Sequence, residues 1–174
     1  MKILFEGRNL PVCHWHGFVR PEWDRHQSAT LQHISALGLP VFVKPANLGS
    51  SVGISKVKTR DELVPAIELA LQFDRKVVVE AAVTRAREIE CAVLGNDDPK
   101  VSVPGEILPS REFYDYEAKY LDEGSRTVIP ADLPAATVAE VRSGLPRLRE
   151  VIALEDWSTF LAGGPGAHRR RAGG

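Results

Sequence analysis

Apolar positions along this chain recur with two periods, and the switches between them mark its elements. Residues 41–43 are a short apolar run that ends in Lys44; a glycine–serine loop over 49–53 follows, and residues 54–57 return as a second short strand. Beyond Thr59 the period becomes helical, with Leu63, Ile67, Ala70 and Leu71 on one face. Thr59-Arg60-Asp61-Glu62 opens that helix as a capping box, and Pro65 falls in or just after the first turn, where a missing N–H costs little. Residues 76–80 read as a buried strand ending in Glu80. From Glu88 the pattern alternates, with Ile89, Cys91 and Val93 on one face and Glu88 and Glu90 on the other, until Gly95 closes the strand. Asn96-Asp97-Asp98-Pro99 is a turn, 101–107 a further strand and 127–129 a short one. Leu133 to about Val151 is helical, with a predicted break at Gly144 and Pro146. Residues 1–12 read as the end of a helix running into Leu10-Pro11-Val12. Residues 14–27 read as an irregular connection, and 28–37 as a short helix stopped at Gly38-Leu39-Pro40. Strands alternating with helices predict an α+β or α/β architecture.

Bulk properties narrow the function. The 174 residues suffice for one domain, or one domain plus appendages. At 44% hydrophobic and 26% charged, the composition is that of an ordinary soluble protein. The net charge of −1 includes no broad basic field, so no nucleic-acid partner is expected. No apolar run approaches the ~20 residues of a membrane span. No secretory h-region follows Met1, and the expectation is a cytoplasmic protein with no membrane partner. Cys13 and Cys91 are far apart and lack metal spacing, which suits a reducing compartment. Cys91, in its apolar alternation, reads as a small buried side chain. His14 and His16 share one face of an extended segment, but no third ligand is evident nearby, and no metal ligand is assigned. Residues 163–174 have no apolar periodicity and read as a disordered tail.

The chemistry concentrates after residues 41–43. Gly49 and Gly53 allow positive φ and close backbone approach to a ligand, successive N–H groups in such a loop form an anion-binding concavity, and Lys44 adds a full positive charge beside it. This is not the Walker arrangement, in which G-x-x-x-x-G-K-S/T opens a helix, because Val52-Gly53-Ile54 leads into a strand. A bare GSSVG fits a hairpin with a polar turn as well as a phosphate loop. The second notable segment, Phe113-Tyr-Asp-Tyr-Glu-Ala-Lys-Tyr120, follows Gly105-Glu106-Ile107 and taken alone fits an amphipathic surface loop.

Together these segments resemble the D-alanine–D-alanine ligases of the ATP-grasp superfamily. The resemblance runs over about residues 2–142 and rests on GLPVFVKPANLGSSVGISKV, REIECAVLGN, GEI, FYDYEAKY and Ile129-Pro130-Ala131. It implies a partial ATP-grasp domain of the α+β class, an antiparallel sheet with flanking helices. It also implies an ATP-dependent carbon–nitrogen ligase of peptidoglycan precursor synthesis. In such a ligase the carboxylate of one D-alanine takes the γ-phosphoryl group of ATP, and the amine of a second D-alanine displaces phosphate. By the same resemblance Lys44 contacts ATP phosphate, and Gly49, Ser50, Ser51, Val52 and Gly53 form the loop over the phosphates. Ser50 helps orient the second substrate. Glu80, Ala81 and the backbone through Val83 form the adenine hinge, and Glu88 takes the ribose. Lys119 reaches the γ-phosphate, and Tyr120 hydrogen-bonds to the serine and helps close the loop. FYDYEAKY favours D-alanine as the second substrate. Phosphoryl transfer is mostly positioning and charge neutralisation, which suits two lysines and a row of N–H groups.

The chain departs from the family pattern at several points. The N-terminal substrate domain, with its D-alanine-binding glutamate, and an upstream ATP-contacting lysine have no counterpart here. Ala81 stands where the family often has lysine. The Arg-x-Asp-Phe-Phe strand and Asn-Glu-x-Asn-Thr segment that supply the magnesium carboxylates are not found; Leu154-Glu-Asp-Trp-Ser-Thr-Phe160 lacks their order, so Asp156 is a poor ligand candidate. The expectation is a partial ATP-grasp domain over 1–142 and a divergent, poorly ordered tail over 143–174. The copy is expected to be incomplete and weakly active or inactive. Its exposed sheet surface would favour a homodimer or aggregation. The alternative reading is a non-catalytic nucleotide-binding or interaction module.

Overall fold

The computed structural model describes residues 2–7, 9–48, 51–84, 86–95, 100–108 and 126–152, of which 144–152 are described as backbone only. Its described residues fall into two compact units, one centred on residues 13–86 and the other on residues 2–12 and those from 87 on. Helix α1 (Lys2–Gly7) opens the chain and belongs to the second of these.

The first unit contains β1 (Trp15–Val19), α2 (Arg20–Ser35), β2 (Val41–Pro45), β3 (Ser55–Val57), a 3-10 turn (Arg60–Glu62), α3 (Leu63–Phe73) and β4 (Lys76–Ala81). Its four strands form an antiparallel sheet in the order β1–β4–β2–β3. Side chains alternate across a strand, and opposed residues share a face, so the register defines two surfaces. Val41, Val43, Val57, Val77 and Val79 lie on one of them, buried in a single core with Trp23 and Ile34 of α2 and Ile67 and Ala70 of α3. On the other, half-buried surface, Trp15, Glu80, Phe42 and Lys56 form one row across all four strands. Gly17, Val78 and Lys44 form the next row.

Local chemistry sets the ends of α3. Glu62 accepts the backbone N–H groups of Lys58 at 2.7 Å and Thr59 at 3.2 Å, the capping box read from the sequence. Asp74 ends the helix in an extended conformation, donating its own N–H to the Ala70 carbonyl at 3.2 Å.

Residues 14–27, expected to be irregular, are instead β1 and the first half of α2. The core-facing positions of β1 are His16 and Phe18 around Gly17, so no β-branched alternation announces it; its order comes from pairing with β4. Pro21 sits in the first turn of α2, where it starts a helix rather than stopping one. A kink at His26 (φ −133°, ψ 38°) divides the helix.

In the second unit, β5 (Glu88–Glu90), β8 (Gly105–Leu108) and β9 (Arg126–Val128) form an antiparallel sheet in the order β5–β8–β9, while β6 (Val93–Leu94) and β7 (Lys100–Val101) pair separately. The single strands expected over 88–94 and 101–107 are therefore each divided. Pro104 has no N–H to donate to a ladder, and the Ser102 hydroxyl accepts the Ala92 N–H at 3.0 Å, which fixes the break. Helix α4 (Ala135–Ile152) runs through Gly144 and Pro146, where a break was expected; a proline removes one helical hydrogen bond and need not end the helix. The expected boundary at residue 142 falls inside this helix. Cys91 is buried against Phe5, Leu10, Val93, Val101 and Val141, and burial pushes its thiol pKa up despite the nearby Arg142. None of the described helices is long and apolar enough to cross a membrane.

One half-buried group gives the first unit a pH dependence. His16 packs against His33 with ring centroids 4.9 Å apart and the planes tilted by 46°, and its Nε2 has no hydrogen-bond partner among the described residues. Burial, reinforced by His33 and opposed by Glu22, holds its pKa below the usual imidazole value of 6.5. The folded state thus resists protonating a ring that the unfolded chain protonates freely, so stability is full above pH 6.5 and falls as pH drops below it. Urea titrations at pH 7.5 and 5.5 are expected to show a lower midpoint at the acid end, and His16→Phe is expected to shrink that difference.

Candidate functional site

The half-buried face of the first sheet gathers the site. Lys44, the fourth residue of β2, extends across to form an ion pair with Glu80 of β4. Both are well covered, with side chains 31% and 13% exposed, so their charges are screened less than on an open surface. Beside them Lys56 lies 5.9 Å from the centroid of the Phe42 ring. At the β1 edge the Trp15 ring covers Gly17, where a Cβ would lie 3.0 Å from Trp15 Cζ3. The face therefore carries the Trp15 and Phe42 rings in one row, with the Lys44–Glu80 ion pair bridging to the row nearer the glycine loop.

That loop is held in an unusual backbone conformation. Ser51 (φ 60°) and Gly53 (φ 70°) both occupy the left-handed region, and the Ile54 N–H returns to the Ser51 carbonyl at 3.3 Å. Gly53 has no room for a side chain, since a Cβ there would stand 2.6 Å from Phe73 Cδ2 and 3.0 Å from Pro45 Cγ. Val52, between Ser51 and Gly53 in the chain, is half-buried. On the outgoing stem, Asn47 donates both its backbone N–H and its Nδ2 to Asp74 Oδ2, each at 2.8 Å. Burial raises the Asp74 pKa, but the N–H groups of Lys76 and Asn47 outweigh it and hold the carboxyl below its ordinary value.

Beyond Glu80, β4 ends at Ala81, which is opposite Val41 on the core face, and the chain continues into Ala82 and Val83. The Ala81 N–H is donated to the His14 carbonyl at 2.9 Å and the Ala82 N–H to Pro40 at 3.0 Å, while Val83 is 63% exposed. Lys44 is opposite Val78, three residues before Ala81, so the two ends lie roughly 10 Å apart along the strand. The Lys44 side chain spans most of that separation, since its ammonium meets Glu80, the residue before Ala81.

Glu88 belongs to the second unit, on β5 opposite Ile107. Its neighbour Arg87 grips Glu106 through a fork, Nε to Oε1 at 2.7 Å and Nη2 to Oε2 at 2.6 Å, and also donates to the Asp132 carbonyl at 2.8 Å. The Arg87 guanidinium holds the Glu106 carboxyl below its usual range, and the Arg87 pKa rises correspondingly. Arg87 thereby ties β8 and the segment after β9 to the start of the strand carrying Glu88.

The structure thus brings Lys44, Ser51, Val52, Gly53, Glu80, Ala81 and Val83 into the first unit and places Glu88 in the second. Gly49, Ser50, Lys119 and Tyr120 lie outside the described residues. Trp15, Lys56 and Asp74 were not singled out from the sequence; only the strand register and the Asn47 contact reveal them. Among the described residues, no three His, Cys, Asp or Glu side chains gather into a metal-binding group, and none of these residues is assigned to a metal.

Comparison with known proteins gives this arrangement its class. The family described as D-ala D-ala ligase C-terminus matches residues 4–160. The D-alanine–D-alanine ligase of Bacillus cytotoxicus is 48% identical over 143 residues, covering 82% of this chain and 39% of that protein. That of Kineococcus radiotolerans is 47% identical over 161 residues, covering 89% and 43%. Among solved structures, the VanG D-Ala:D-Ser ligase of Enterococcus faecalis aligns with a TM-score of 0.73 at 33% identity, over 86% of this chain and 42% of its own. The D-alanine–D-alanine ligase of Coxiella burnetii aligns with a TM-score of 0.67 at 29% identity, over 86% and 38%. The chain belongs to the D-alanine–D-alanine ligase family, and its fold is part of an ATP-grasp domain. It spans about two fifths of the length of the curated relatives it matches.

Proposed function

We propose that this chain is the nucleotide-binding part of an ATP-dependent D-alanine–D-alanine ligase. The observation that carries the reading is Lys44, half-buried at the stem of a glycine loop with left-handed residues, on a sheet face that runs from that loop to Glu80, next to the hinge at Ala81. A triphosphate suits the loop end, where a cation and tightly turned backbone stand together. A base suits the hinge end, where Glu80, Ala81 and exposed Val83 follow one another. Glu88 is the proposed ribose ligand, Arg87 and Glu106 steadying its strand.

ATP supplies the phosphoryl group that activates the first D-alanine carboxylate; the amine of the second D-alanine then displaces phosphate to form the peptide bond. Lys44 and the N–H groups of Gly49, Ser50, Ser51, Val52 and Gly53 hold the phosphates. Lys119 neutralises the transferring group, and Ser50 with Tyr120 orients the attacking amino acid. The FYDYEAKY segment favours D-alanine as that second substrate, whereas the Enterococcus faecalis neighbour is a D-Ala:D-Ser ligase.

Calorimetric titration of the chain with ATP tests the binding step, and phosphate release with D-alanine or D-serine tests the chemistry. Saturable ATP binding with D-alanine-dependent release supports the full reading. Binding without release assigns the chain to nucleotide binding alone, and absence of binding removes the proposal.

A further inference from the structure

Two consecutive residues at the junction of α3 and β4 hold both stems of the glycine loop. Asp74 takes the outgoing stem: one carboxylate oxygen receives both Asn47 donors at 2.8 Å, and the other receives the Lys76 N–H at 3.1 Å. The Lys76 carbonyl accepts the Ala46 N–H at 2.9 Å, so the chain stays bound to β4 until it reaches Asn47. Phe73 takes the returning stem, its ring against Gly53 so closely that a Cβ would stand 2.6 Å from Cδ2. Neither side chain is in the hydrophobic core, and Phe73 is 46% exposed.

We infer that Phe73 and Asp74 are positioning residues for phosphate binding, holding Asn47 on one stem and Gly53 on the other at a fixed separation, so that the described end of the loop, Ser51 to Gly53, is set in place before a polyphosphate arrives. This rests on the proposed nucleotide-binding function and extends it to residues that touch no ligand. Stems that are fixed before binding lose less conformational freedom when an anion binds beside them. The carboxylate is specific to the task. Three donors converge on Asp74, and an amide of the same shape turns an NH2 toward at least one of them. Gly53 is specific for two reasons, its positive φ of 70° and its contact with the ring.

The test compares ATP with adenosine on the intact chain, because the clamp acts only through the phosphate end. Asp74→Asn is expected to weaken ATP binding roughly tenfold while leaving adenosine binding within about twofold of wild type. Gly53→Ala is expected to do the same from the other stem. Ile67→Val, a core change remote from the loop, serves as the control for general destabilisation: it lowers the melting temperature and leaves the ratio of ATP to adenosine affinity unchanged. Loss of that ratio in Asp74→Asn and Gly53→Ala, but not in Ile67→Val, supports the inference. A wild type that binds ATP and an Asp74→Asn variant with the same ratio overturn the clamp and leave the nucleotide-binding reading standing. A wild type that binds no ATP overturns both.

Discussion

Trp23→Ala is expected to lower the melting temperature of the first unit by about 10 °C or more. Trp23 is 1% exposed, stacks on Phe18 with centroids 5.8 Å apart, and donates its indole N–H to Glu68 Oε1 at 2.6 Å. It therefore joins α2, the sheet and α3 at one point. Truncating a buried tryptophan costs about 3–5 kcal/mol, against a total stability of about 5–15 kcal/mol for an ordinary domain. The loss of the indole donor also leaves Glu68 with only the Arg20 contact at 3.2 Å among the hydrogen bonds that tie it to α2. Trp23→Phe keeps most of the ring and should cost less than half as much. Thermal melts followed by circular dichroism would check both. An alanine variant that melts with the wild type would mean that α2 is not docked on the sheet as described. Because α2 and α3 cover only one face, the loss is expected to abolish ligand binding near the new melting temperature and not far below it.

The same packing shows what could be read from the residues and what could not. The hairpin of β2 and β3 and helix α3 were legible because each carries its own local rule: a short apolar run over 41–43 ending in Lys44 before a glycine–serine loop, and a capping box at Thr59 and Glu62 followed by apolar residues at helical spacing. Strand β1 was not, because its core-facing positions are His16 and Phe18, and Gly17 is there to accommodate Trp15. Only pairing with β4, some sixty residues away, makes it a strand. The site divides in the same way. Lys44 and the glycine loop were legible as an anion-binding pattern, whereas the Lys44–Glu80 pair depends on strand register and the Asn47–Asp74 clamp spans 27 residues of sequence. Glu88, Lys119 and Tyr120 have roles only by family resemblance, since no local pattern gives a lone carboxylate or a Lys-Tyr pair a ligand.

Lys44→Met should weaken ATP binding roughly 10- to 100-fold, because two effects of the same sign act at one place. The variant removes a charge-assisted contact worth about 1.5–3 kcal/mol to a phosphate oxygen. It also removes the cation that balances Glu80, which is only 13% exposed, so the phosphates meet a carboxylate no longer neutralised by Lys44. Methionine keeps much of the lysine's length and apolar stem at a position 31% exposed, so the sheet is expected to survive. The double variant Lys44→Met/Glu80→Gln separates the two contributions. Neutralising Glu80 should recover part of the lost affinity if repulsion contributes, and none if Lys44 acts only through its direct phosphate contact. Adenosine, which carries no phosphate, should bind the Lys44→Met variant about as well as wild type. Equal ATP affinity in wild type and Lys44→Met would show that the half-buried ammonium serves the sheet through Glu80 alone, and the nucleotide would then have to be sought on another surface.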